Sequence, residues 1–187
     1  MNDIFLEEFQ KKSTEILLCK AKDLGLSTGK LLESEDITNM WFKCAPDYMA
    51  AAIKEFNSYP EVALAWASYV GLAASFLWDG DWKENQKIPN LYHFLANKRG
   101  FDELDEYVTE EIMKLELKSL QHIKIENSLR SLASSILGLM KKENPEAMTE
   151  NAFKIFAIAT NAMFKIGASI GLHVLGYKLE LASQLKN

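Results

Sequence analysis

The stretch YPEVALAWASYVGLAASFLWDGDW, residues 59–82, decides the fold. Pro60 suits the first turn of a helix, where its missing N–H costs nothing, and Glu61 stands beside the positive end of that helix's dipole. From Val62 to Trp78 seventeen residues carry no charge, the lower edge of what a membrane span needs. Its Ala, Ser and Gly content keeps the hydrophobicity modest, and no Lys or Arg follows before Lys83. The expectation is therefore no membrane, and a helix buried on all sides by other helices. This helix reads as the axle of an all-α domain.

Outward from the axle the pattern stays helical. Upstream, Asp3 is a cap for a first helix with Phe5, Phe9, Ile16, Leu17, Ala21 and Leu24 on its apolar side, and Gly25 fits a left-handed stop. Residues 26–33 read as a linker, Ser34 as the next helix start, and Pro46 as a point where that helix restarts or kinks. Downstream, a polar segment covers 83–90 and a short helix spans Leu91 to Lys98, ended by Gly100. Asp102 is placed as the cap of a helix running to about His122, with a bend over Ile123–Glu126 and another helix from about Ser128 to Lys142. Asn144-Pro145 breaks the chain, and the last helix is expected from about Glu146 to Leu181. At 1.5 Å per residue that is roughly 50 Å, longer than a compact domain of this size is wide.

Small residues suggest how two long helices meet. Ala67, Gly71 and Ser75 recur every fourth residue on the axle, and Gly167 and Gly171 do so on the last helix, so the two backbones are expected to approach closely along these stripes. The fold class is thus an all-α, single-domain multi-helix bundle over residues 1–187, with about six or seven helices and a long, largely buried C-terminal helix.

Composition narrows the partners. Of 187 residues, 48% are hydrophobic and 25% charged, which is ordinary for a globular chain. With 26 acids against 21 bases and no basic cluster, no nucleic-acid partner is expected, because affinity for a phosphate backbone comes from Lys and Arg. The N-terminal residues lack the basic start and apolar run of a signal peptide, so the expected localisation is cytoplasmic. Cys19 and Cys44 lie in helical, apolar surroundings and read as small buried thiols rather than a disulfide.

Chemistry-bearing motifs are sparse. Asp79-Gly80-Asp81 resembles the acid pair that holds a metal in sugar-nucleotide transferases, but that motif belongs to the edge of an α/β sheet, which this chain lacks. As a calcium loop it fails, since Lys83 and Glu84 stand where a ligand and the sharp-turn glycine belong. Its plainer reading is that Gly80 ends the axle and the acids solvate a turn. No His has a Glu three residues before it, and there is no HExxH, so no metal and no cofactor are expected. His122 and Glu126, one helical turn apart, are expected to pair on a surface.

One place still invites a ligand. Trp66, Tyr69, Trp78 and Trp82 offer ring faces near Asp79 and Asp81, and His93, Arg99 and Asp102 follow within a short loop and helix. If the chain folds back after Trp82, these nine residues would form an aromatic-walled small-molecule-binding or enzymatic pocket. The leading expectation, however, is a non-catalytic domain that self-associates, as a homodimer, through the nearly unbroken apolar run from Ile166 to Leu175.

Overall fold

In the computed structural model, which describes residues 3–26 and 29–177, the chain forms seven α-helices and one π-helical turn. They are α1 (Asp3–Asp23), α2 (Glu35–Phe56), α3 (Pro60–Asn85), α4 (Leu91–Arg99), α5 (Leu104–Tyr107), α6 (Leu120–Glu143) and α7 (Glu150–Val174), with the π turn (Val108–Ile112) between α5 and α6. No strand occurs among the described residues. α3 is the axle, buried continuously from Ala63 to Ser75, and its most extensive partner is α7. α1 and α6 close one side of this pair, while α2, with α4 against it, closes the other.

α3 and α7 approach through the small residues. A Cβ built on Gly167 would lie 2.6 Å from the Cα and carbonyl carbon of Ser68, and one on Gly71 would lie 2.7 Å from the Ala168 nitrogen. One on Gly171 would meet the Ser75 side chain at 2.8 Å. Only hydrogen fits at these positions. The Ser75 hydroxyl donates to the Ala168 carbonyl at 2.7 Å, adding a polar tie to the same seam. Ser68 opposes Gly167, Ser75 opposes Gly171 and Asp79 meets Tyr177, so the two helices run in the same direction. Both are long and apolar enough to cross a membrane by length and composition, yet 72% and 78% of their apolar windows lie inside the fold.

Local signals place the helix ends. Ser34, Asn90, Ser119 and Thr149 each accept a backbone N–H from the first turn they precede, satisfying a donor the helix cannot. Gly25 and Gly100 take the positive φ that ends α1 and α4. Buried hydroxyls of Ser13, Ser128 and Thr160 donate to carbonyls one turn back in their own helices, so the core carries them at little cost. Pro46 is carried inside α2, which runs unbroken from Glu35 to Phe56.

Five expectations are corrected. The helix expected to run on to about His122 stops far earlier: after Leu104–Tyr107 and the π turn, Lys114 and Lys118 take positive φ, and Ser119 caps a new start. Glu103, not Asp102, occupies the cap position of α5, without a side-chain bond. Ile123–Glu126 is no bend but lies inside α6, which is continuous because its apolar residues Ile125, Leu129, Leu132, Ile136 and Leu139 hold one register into the core. The last helix begins at Glu150 behind the Thr149 cap and ends at Val174, where Gly176 turns left-handed and the Tyr177 N–H donates to the Leu172 carbonyl. At 25 residues it is about 38 Å long, which fits within the bundle; residues 178–181 of the expected helix lie outside the described residues. Both cysteines are free, Cys44 buried as expected but Cys19 exposed on α1.

Candidate functional site

The axle does not stop at Gly80. It passes Gly80, breaks its helical geometry at Asp81 (φ −155°, ψ 87°) and resumes to Asn85. Asp81 makes this kink: its Oδ1 accepts the Glu84 N–H at 3.1 Å, capping the final turn as a new helix start. From that turn Asn85 Nδ2 reaches back to donate to the Leu77 carbonyl at 2.7 Å. Trp82, the residue after the kink, lines a recess together with Asp36 and Met40 of α2.

There it divides a cleft. The apolar lobe, about 260 Å³, is lined by Trp78 and Trp82 together with Leu32, Ile37, Met40 and Leu172. The polar lobe, about 180 Å³, has Asn39, Lys43 and Gln86 around the same tryptophan. Asp36, Met40 and Trp82 line both lobes. Asp36, Met40 and Lys43 fall on one face of α2 because they are spaced by four and then three residues. Leu32 is held in place by the linker's own tie, its N–H donating to Ser169 Oγ of α7 at 2.7 Å. At the rim, 43% exposed Trp78 meets Tyr177 edge to face at 5.4 Å, and the Tyr177 hydroxyl donates to Asp79 Oδ1 at 2.6 Å. The two acids of the Asp-Gly-Asp run are therefore spent on a tyrosine and on a helix cap.

Of the nine sequence candidates, Trp78 and Trp82 line this cleft and Asp79 and Asp81 brace it. The other five lie elsewhere. His93 Nε2 is 3.1 Å from Asp47 Oδ2 across α4 and α2, an exposed pair. Arg99 binds Glu110, with Glu111 at 3.9 Å, pinning α4 to the π turn. Asp102 is exposed in the turn between α4 and α5. Trp66 and Tyr69 are core residues: the Trp66 Nε1–H donates to the Phe101 carbonyl at 2.8 Å, and the two rings meet at 5.6 Å. The chain after Trp82 does fold back, but it brings the α2 face and the linker to the tryptophans instead of His93 and Arg99. Among the described residues no group of three or more His, Cys, Asp or Glu side chains is arranged to hold a metal.

A second polar cluster lies where α3, α5 and α6 meet. The Tyr69 hydroxyl is enclosed without a hydrogen bond, and burial, then the charges of Asp105 and Glu126, push its ionisation well up. Asp105 is 9% exposed; burial, then the neighbouring Glu106 and Glu126, raise its carboxyl to about 6 against backbone N–H groups that favour the charge. Arg130 lies 5.5 Å over the Trp66 ring and bonds Glu126 at 3.1 Å. His122, expected on a surface, is buried; its Nδ1 accepts the Lys118 N–H at 2.9 Å, which leaves Nε2 3.9 Å from Glu126. The cluster lines neither lobe of the cleft. It gathers side chains of the axle, α5 and α6.

Comparison with protein-family models, with curated proteins and with solved structures found no match for the chain.

Proposed function

We propose that the chain is a helical ligand-binding domain whose site is the two-lobed cleft at the kinked end of α3, and that it takes a small, largely apolar molecule. The observation that carries this reading is that Trp78 and Trp82 are held part-exposed over a recess instead of being packed away. A tryptophan left in water forgoes much of the burial energy its large apolar surface could contribute, so a recess walled by two of them suits an apolar guest. The 260 Å³ lobe lies just below the usual range of ligand pockets, which favours a small guest. No catalytic role is assigned, since the polar groups bordering the cleft are helix caps, a seam hydroxyl and single charges.

Self-association through residues 166–175 is not part of this reading, because Ile166 to Leu172 are buried within the bundle. The cytosol remains the compartment we assign, in keeping with two unpaired thiols.

A thermal-shift screen of small apolar and amphiphilic molecules tests the reading. Hits should disappear in Trp82→Ala and Met40→Ala and persist in Phe42→Ala, which removes a 67% exposed ring from the same helix outside the cleft. Hits that survive both cleft substitutions would contradict it.

A further inference from the structure

Resting on the reading of the cleft as a ligand site, we propose that the ligand is an organic monocation, an amine or quaternary ammonium group carried on an apolar body. Asp36 is the one charged side chain lining the apolar lobe, and it lines the polar lobe as well. It is exposed in the first turn of α2 and shares the lining of both lobes with Met40 and Trp82. No hydrogen bond or ion pair engages its carboxylate among the described residues, so it is free to accept one. The other polar side chains of the apolar lobe are already engaged: Ser34 Oγ accepts the Ile37 N–H at 3.2 Å, and Ser75 Oγ donates to the Ala168 carbonyl at 2.7 Å.

A carboxylate that shares a cleft with two indole rings is a chemistry that selects ammonium groups, because the ring quadrupole attracts a cation and the acid supplies the counter-charge. Asp79 and Asp81, next to the two tryptophans in the chain, add negative potential at this end of the bundle. Lys43, two turns along the same face of α2 in the polar lobe, sets the limit to one positive charge, since a second cationic group reaching that lobe would face it. The apolar body then occupies the space between Leu32, Ile37, Trp78 and Leu172.

Three probes of one shape and different charge separate the possibilities: phenethylamine, 3-phenylpropionate and 2-phenylethanol, titrated into the full chain by calorimetry and by NMR of the indole N–H groups. Phenethylamine should bind tightest, and Asp36→Asn should weaken it about twofold to fivefold while leaving 2-phenylethanol unchanged, the effect of one exposed, screened charge contact. A melting curve of Asp36→Asn matching the parent establishes that the fold is intact. Equal binding of all three probes, or indifference of phenethylamine to Asp36→Asn, overturns the cation assignment and leaves the cleft standing. If none of the three perturbs Trp78 or Trp82, both the cation and the cleft are overturned.

Discussion

Gly167→Ala is the sharpest perturbation of the fold. The added methyl would lie 2.6 Å from Ser68 Cα and carbonyl carbon, well inside carbon contact distance, and both atoms belong to the backbone of a buried helix. A side chain could rotate away, but a helix backbone can only be pushed off, and the buried residues on both sides of the seam would lose contact with it. Overpacking of this kind costs about 1–3 kcal/mol, and the rigid partner argues for the upper end. Replacing Gly by Ala in a helix returns about 1 kcal/mol of propensity, so the net loss expected is about 2 kcal/mol. For a chain of this length that lowers Tm by about 4–8 °C. Gly138→Ala is the internal control. It lies inside α6, exposed, with nothing within 4 Å of the new methyl, so propensity alone acts and stability should rise by about 0.5–1 kcal/mol. Urea and thermal unfolding followed by circular dichroism compare the two. If Gly167→Ala is as stabilising as Gly138→Ala, α3 and α7 do not meet as described.

Other outcomes follow from single groups. Because burial raises the Asp105 carboxyl to about 6, its charging opposes folding: stability is full below about pH 4, where the acid is neutral in both states, and falls as pH rises through 6. Asp105→Asn should therefore stabilise the chain by about 2 kcal/mol at pH 8 and by little at pH 4, a value discounted for partial solvent screening; an equal effect at both pH values would refute the burial argument. Cys44 is buried and its thiol is pushed up to about 12, whereas Cys19 is exposed, so a thiol reagent should label one cysteine promptly and the second only as the chain unfolds. Ser119→Ala should cost about 1 kcal/mol and fray the start of α6, seen as faster amide exchange at Gln121 and His122. Asp81→Ala removes the cap that makes the kink, and the emission of Trp82 should shift as its turn straightens; unchanged emission would mean the kink has another cause.

What could be read from the sequence was whatever rests on one helix at a time. The axle's uncharged body, Pro60 at its start, Ser34 as a cap and the small-residue stripes all carry their reasons locally, and the stripes correctly paired α3 with α7. Helix ends inside apolar runs were less legible: Ser119 sits on what looks like a continuing face, and only its cap to His122 reveals a start. The π turn leaves no mark in the periodicity, since one extra residue in a turn only shifts the phase.

The site was legible only in half. Trp78 and Trp82 stand out in the sequence as aromatic residues beside acids, but proximity in the chain points to His93 and Arg99, which lie elsewhere. The actual walls, Leu32, Asp36 and Met40, come from earlier in the chain, and their one signal, the 36–40–43 spacing on α2, gains meaning only once α2 is known to lie along α3. Likewise the run from Ile166 to Leu172 looks the same in sequence whether it faces another copy or the axle.

The four tryptophans give the most direct test of the ligand-binding reading, because two are core residues and two line the cleft. With 5-fluorotryptophan incorporated, fluorine NMR during titration with phenethylamine should move the Trp78 and Trp82 resonances saturably and leave Trp41 and Trp66, each 3% exposed, in place. Four unmoved resonances, or movement confined to Trp41 and Trp66, would contradict it.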